Sequence, residues 1–105
     1  MKINIFGAGT WGLAIANYLA SRENTIHIFY RNSPDSGFNP RTYKHKYLKP
    51  FTLNKNVKIS SNINDFNLVH LNIVAVPSHS INSIMKLIYK ENSQYLLLSK
   101  GFDHV

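Results

Sequence analysis

At 105 residues the chain has room for one domain around one modest core, and it is short for an enzyme that must hold both a large cofactor and a substrate. A hydrophobic share of 44% and an aromatic share of 12% are ordinary for a globular protein, with no apolar run of about 18 residues to cross a bilayer and no cysteine for disulfides. Twelve Lys and Arg against five Asp and Glu give a charge of +7. The opening MKINIFGAG is broken by glycine too early for a signal peptide, so the expectation is a cytoplasmic, soluble protein with no membrane attachment.

Lys2 to Phe6 (KINIF) reads as a short buried strand ended by Gly7. From Thr10 to Ala20 the residues Trp11, Ala14, Ile15, Tyr18 and Leu19 recur at helical period, which predicts a helix with that face against a sheet. Ser21 to Asn24 ends it, and Thr25 to Tyr30 (TIHIFY) is a second strand. Asn32 to Pro40 reads as a surface loop, and the basic stretch that follows shows no period as far as Asn56. Val57 to Ser60 suits a short strand, Asn62 starts a turn or short helix, and Leu71 to Val76 is a buried strand stopped by Pro77. Ser80 or Asn82 caps a helix that carries Ile81, Ile84, Met85 and Ile88 on one face as far as Lys90, and Tyr95 to Leu98 is the last strand. Strands alternating with helices predict an α/β fold, a doubly wound parallel sheet of the Rossmann-like dinucleotide-binding type, with the five strands in order 3-2-1-4-5 over residues 1–105.

The stretch IFGAGTWGLA places Gly7, Gly9 and Gly12 in the spacing G-x-G-x-x-G between the first strand and the first helix. Gly7 permits the tight turn, Gly9 lets the backbone approach a pyrophosphate, and Gly12 lets the helix lie close on the strand, while the N–H groups near Thr10 and Trp11 face the phosphates. The second strand ends in Tyr30, Arg31 and Asn32, with no carboxylate for the ribose hydroxyls of NAD. Arg31 can instead pair with a 2′-phosphate or stack on adenine, which points to NADP as well as NAD.

Arg31, Arg41, Lys44, Lys46, Lys49, Lys55 and Lys58, interleaved with Tyr43, Tyr47 and Phe51, form a basic stretch. It reads first as a solvated loop and behind that as a nucleic-acid patch, and a third reading is a source of positive potential that steers an anionic cofactor and substrate. The histidines have no H-x-x-H or H-E-x-x-H spacing, and no metal site is expected.

Three blocks, GAGTWG at 7 to 12, VAVPSHS at 74 to 80 and LLLSKGF at 96 to 102, together resemble the N-terminal cofactor domain of the bacterial type of NAD(P)-dependent glycerol-3-phosphate dehydrogenase, over essentially the whole chain. The resemblance implies cofactor-binding positions at Thr10, Trp11, Arg31, Pro77 and Lys100 beside Gly7, Gly9 and Gly12. It also implies a role for Lys100 in binding the substrate, glycerol 3-phosphate or dihydroxyacetone phosphate. Leu13, Asn32 and the KYLKPF stretch at 46 to 51 depart from the family pattern. The family's helical C-terminal substrate domain, with its general acid/base lysine, lies outside these 105 residues, so no catalytic residue is expected here and the chain reads as a truncated domain. The rival readings are a stand-alone dinucleotide-binding module and a basic nucleic-acid-binding protein. Leu96, Leu97 and Leu98 at the sheet edge add an expectation of self-association.

Overall fold

The computed structural model describes residues 1–33, 37–48, 50–67, 69, 71–89 and 93–98. In chain order the elements are β1 (Lys2–Phe6), α1 (Thr10–Ala20), β2 (Thr25–Phe29), β3 (Phe38–Asn39), β4 (Lys44–His45), β5 (Lys58–Ser60), a 3-10 turn (Ile63–Asp65), β6 (Leu71–Val74), a second 3-10 turn (Ser78–Ser80), α2 (Ile81–Ile88) and β7 (Tyr95–Leu97). Five strands form one sheet in the order β5-β2-β1-β6-β7, and every neighbouring pair is parallel. Counted by those five strands alone, this is the expected order 3-2-1-4-5.

A parallel sheet needs cover on both faces. Alternation along β1 sends Ile3 and Ile5 to one side, where they pack with Leu13 and Ala16 of α1, Ile26 and Ile28 of β2, and Phe38, Leu53 and Val57. Phe6 faces the other way and joins Val74 and Ile88, with Phe29, Phe66, Ile81, Ile84 and Met85 packed around them. The expected apolar face of α2 is therefore the one that meets the sheet.

The expected face of α1 is corrected. Its buried residues are Gly12, Leu13 and Ala16, with Ile15, Leu19 and Ala20 partly buried beside them. Trp11 and Tyr18 stand 53% and 59% exposed, and Ala14 is also exposed. The stripe that touches the sheet sets the small Gly12 and Ala16 beside Leu13, and the two small residues let the helix axis approach the strand, whereas a pattern weighted toward the aromatic side chains selects the neighbouring stripe. Tyr18 finds a partner outside the core, the Arg22 guanidinium lying 4.8 Å over its ring.

Several boundaries also move. β2 stops at Phe29, where the backbone N–H of Tyr30 donates to the Ser60 carbonyl at 3.0 Å. β6 stops at Val74, and α2 stops at Ile88 because Tyr89 is extended at φ −64°, ψ 130°. Ser80 occupies the N-cap position of α2 but makes no capping hydrogen bond through its side chain.

The segment read as featureless contains an antiparallel hairpin, β3 with β4, that pairs Phe38 with His45 and Asn39 with Lys44. Two-residue strands are too short to show alternation, so sequence period could not reveal them. The hairpin and the turn behind it stand where a helix usually covers the sheet between parallel strands. Phe38 sits edge-on to Tyr30, with ring centres 5.5 Å apart, and the Tyr43 hydroxyl donates to the Val57 carbonyl at 3.0 Å.

One polar pair lies inside the sheet. Asn4 of β1 and Asn72 of β6 are both buried and register partners. The Asn4 amide donates to Asn72 Oδ1 at 3.1 Å and to the Asn67 carbonyl at 2.9 Å, and the Asn72 amide donates to the carbonyls of Val69 and Gln94, each at 3.2 Å.

Candidate nucleotide-binding site

β1 lies at the centre of the sheet, with β2 on one side and β6 on the other. The chain leaves β1 toward β2 through α1 and later returns on the opposite side of β1 to form β6. The carboxyl ends of β1, β2 and β6 therefore flank the point where the winding reverses, which is where open α/β sheets leave a crevice.

Gly7 ends β1 at φ +126°, a conformation that side chains rarely adopt. Its N–H donates to the Phe29 carbonyl of β2 at 2.9 Å, and a Cβ there would come within 2.3 Å of the Ala75 carbonyl oxygen. Gly12 is equally constrained, since a Cβ on it would lie 2.2 Å from the Gly7 carbonyl oxygen and 3.6 Å from the Ala75 Cβ. These two glycines let β1, α1 and the residues after β6 meet backbone to backbone. Ala75, whose N–H donates to the Phe6 carbonyl at 2.9 Å, is a member of this contact that the glycine spacing alone does not reveal. Its place just beyond the apolar run of β6 was the available signal.

Gly9 is different. It adopts φ −76°, ψ −177°, extended backbone open to any residue, and no atom lies within 4 Å of the position its Cβ would take. Nothing in the fold requires a glycine there, so its missing side chain leaves free volume at the mouth of the turn. Gly9 is also the N-cap of α1, without a side-chain capping bond and with no acidic residue in the first turn. Its carbonyl accepts the helix's first hydrogen bond, from the Leu13 N–H at 3.0 Å. The N–H groups of a first helical turn have no intrahelical acceptor, and the helix dipole adds partial positive charge at that end. An open volume bounded by such donors suits an anion, and the pyrophosphate of a dinucleotide has the matching chemistry.

Around this turn, Thr10 is half-buried and Trp11 is exposed at the start of α1. Val76 and Pro77 continue from Ala75, with the Val76 Cγ1 3.2 Å from the position of a Gly7 Cβ, so the 74 to 80 block and the glycine turn are neighbours. Arg31 is exposed two residues beyond the end of β2, and its carbonyl accepts from the Ser33 N–H at 3.0 Å. The structure thus brings Gly7, Gly9, Thr10, Trp11 and Gly12 together with the strand that leads to Pro77, and leaves Arg31 at the end of the adjacent strand. Lys100 lies outside the described residues. Among the described residues no three His, Cys, Asp or Glu side chains gather as a metal site, and no helix is long and apolar enough to cross a membrane.

Away from the turn, His27 of β2 stacks on Phe66 with ring centres 3.9 Å apart. Partial burial holds its pKa below the usual histidine value, and nearby Lys58 adds to this while Asp65 opposes it.

A profile of the family described as NAD-dependent glycerol-3-phosphate dehydrogenase N-terminus matches residues 2–105. The chain is 38% identical over 104 residues to the glycerol-3-phosphate dehydrogenase [NAD(P)+] of Neorickettsia sennetsu, covering 94% of this chain and 31% of that one. It is 32% identical over 111 aligned positions to the enzyme of the same name from Ehrlichia canis, covering 100% of this chain and 34% of that one. Among solved structures it resembles a glycerol-3-phosphate dehydrogenase from Coxiella burnetii, with a TM-score of 0.69 and 24% identity over 95% of this chain and 32% of that one. It also resembles a probable 2-dehydropantoate 2-reductase from Bacillus subtilis, with a TM-score of 0.67 and 23% identity over 99% of this chain and 35% of that one. At these identities the solved structures establish the Rossmann-like fold. The chain spans about a third of the length of the curated relatives it matches.

Proposed function

This chain belongs to the NAD-dependent glycerol-3-phosphate dehydrogenase family, and on that premise we propose that its glycine turn and the start of α1 hold the pyrophosphate of NADPH or NADH. The chain would be the cofactor-binding part of an enzyme that interconverts glycerol 3-phosphate and dihydroxyacetone phosphate. The observation that carries this reading is Gly9, a glycine the fold does not need, beside the uncapped end of an eleven-residue helix. When bound, the cofactor supplies or accepts a hydride at the nicotinamide ring.

The chain's own residues bind and orient. The N–H groups at the start of α1 take the phosphates, Gly7 and Gly12 keep the backbone close enough for them to do so, and Trp11 and Pro77 border the same turn. Arg31 holds the adenosine end, and the absence of a carboxylate from Tyr30-Arg31-Asn32 favours a guanidinium on the 2′-phosphate of NADP. Lys100 is assigned to the nicotinamide end, where an ammonium beyond β7 would hold the substrate's polar groups by charge. β7 is an edge strand with Leu96 and Leu97 46% and 50% exposed, which supports association of the chain with a second copy along that edge.

Titration of the purified chain with NADPH and NADH, followed through the fluorescence of its single tryptophan, Trp11, tests the reading. A saturable change with either dinucleotide, reversed by competition with the other, is expected. Absence of any change, together with no heat of binding by calorimetry, would remove the proposal.

A further inference from the structure

We propose that the β3–β4 hairpin carries a second anion site, for a phosphate group that is either free or esterified to a small molecule, in the cavity bounded by Thr42, Lys44, His45 and Lys46. The proposal goes beyond the dinucleotide reading and uses none of its residues. Gly37 and Phe51 are also among the residues that line the cavity, an open cleft with a volume of about 490 Å³. That is within the range of small-molecule sites, roughly 300–1,000 Å³.

Charge favours an anion. From Ser36 to Asn64 the sequence contains Arg41, Lys44, Lys46, Lys49, Lys55 and Lys58 and not one Asp or Glu. Positive side chains at a concave surface reinforce one another and concentrate anions there. Lys46 Nζ lies 4.9 Å over the Tyr47 ring, which restrains an ammonium that would otherwise sweep a wide arc.

The shape is preformed. His45 is buried, 5% exposed as a residue, and its ring lies against the backbone of Gly37, where φ is +82° and a Cβ would come 2.7 Å from both Cε1 and Nε2. His45 Nδ1 accepts from the Tyr47 N–H at 3.2 Å, which fixes the orientation of the ring at the turn. The Lys46 N–H donates to the Gly37 carbonyl at 3.0 Å and closes the hairpin behind the ring. Tyr43 is held at φ +60°, an uncommon conformation for a bulky residue, and is kept there by its hydroxyl bond to Val57 and by packing on Phe38. A merely solvated basic loop has no need of a buried imidazole or a strained tyrosine at its turn. Here both hold Thr42, Lys44 and Lys46 around one cavity, with the ring of Phe51 as an apolar wall for any organic group attached to the phosphate.

The test is a two-dimensional NMR titration of the ¹⁵N-labelled chain at constant ionic strength with inorganic phosphate, phenyl phosphate, sodium chloride and a single-stranded oligonucleotide. Saturable shifts of the amides of Gly37, Thr42, Lys44, His45 and Lys46 with phosphate or phenyl phosphate are expected. Tighter binding of phenyl phosphate assigns the site to esters, and equal or tighter binding of phosphate assigns it to the free anion. Because Lys44 and Lys46 are exposed, a Lys44→Gln, Lys46→Gln variant should fold, and its affinity should fall at least about tenfold. Gly9→Val should leave these shifts in place whether or not the dinucleotide reading holds. Equal shifts with chloride, shifts with the oligonucleotide alone, or loss of the shifts in Gly9→Val would each overturn the proposal.

Discussion

The three glycines of the turn predict opposite phenotypes for two substitutions. In Gly12→Ala the new methyl starts 2.2 Å from the Gly7 carbonyl oxygen, where ordinary contact begins near 3.4 Å, so helix and strand must part by about an ångström. Both partners are backbone, and neither can rotate away. Overpacking of this kind costs about 1–3 kcal/mol, offset by up to about 1 kcal/mol from the better helix propensity of alanine. The net loss of about 1–2 kcal/mol lowers the melting temperature by roughly 5–15 °C in a domain of this size. In Gly9→Val the Cβ meets no protein atom within 4 Å and the backbone is extended, so the stability cost expected is that of the weaker N-cap preference of valine, about 1 kcal/mol or less. Its branched side chain would fill the volume assigned to the pyrophosphate, and the affinity for NADPH should fall by about a hundredfold or more. Thermal unfolding followed by circular dichroism, with a fluorescence titration of each variant that stays folded, separates the effects. A Gly9→Val chain that binds NADPH like its parent would refute the cradle, and an unchanged melting temperature for Gly12→Ala would refute the close backbone contact.

Arg31→Ala should weaken NADPH by about tenfold to a hundredfold, the worth of a charge-assisted hydrogen bond of about 1.5–3 kcal/mol, and NADH much less; equal losses in paired titrations would mean that Arg31 stacks on adenine or only steers. His27, with its pKa below the ordinary value of 6.5, takes up a proton more readily in the unfolded chain than in the folded one. Stability should therefore be insensitive to this residue above pH 6.5 and decline as the pH falls from there toward the lowered pKa, a decline that His27→Gln should reduce in urea unfolding curves measured across that range. Leu97→Lys should shift the chain toward monomer in light scattering over a concentration series, and a parent chain that is already monomeric at high concentration would show that the β7 edge is covered or inert.

Where the sequence carried a period or a steric demand, it was legible. The start and end of α1 followed from Gly9 and the polar Ser21 to Asn24, and the strand order followed from the glycine turn together with the alternation of strands and helices. The phase of α1 was only partly legible: Ile15 and Leu19 of the expected face do pack on the core, but Gly12 and Ala16, which join Leu13 at the sheet, carry little hydrophobic weight, whereas Trp11 and Tyr18 carry much and face outward. The hairpin escaped notice for a related reason: its order comes from single tertiary contacts, such as His45 on Gly37 and Tyr43 on Val57, which leave no repeat in the sequence. In the site, the motif already separated Gly7 and Gly12, as the turn and helix-contact positions, from Gly9, as the position open to a ligand. The surroundings of each Cβ run the same way, with backbone contact at Gly7 and Gly12 and open space at Gly9.

The buried pair Asn4 and Asn72 bears on how accurately the nucleotide turn is assembled. Apolar side chains in neighbouring parallel strands tolerate a shift of register, since Ile3, Ile5 and Ile73 would still meet hydrocarbon. The two amides tolerate none. Sliding β6 by one residue, about 3.3 Å, would place Asn4 opposite Leu71 or Ile73 and break its bond to Asn72 Oδ1, at a cost of about 1–3 kcal/mol for a buried oxygen left without a donor. The same slide would carry the Ala75 carbonyl away from Gly7, a separation that only one alignment of β1 and β6 makes correct. The asparagines thus act as an alignment key at mid-strand: they make the wrong pairings costly during folding, so that the carboxyl ends of β1 and β6 arrive level and the glycine turn closes against its intended neighbour.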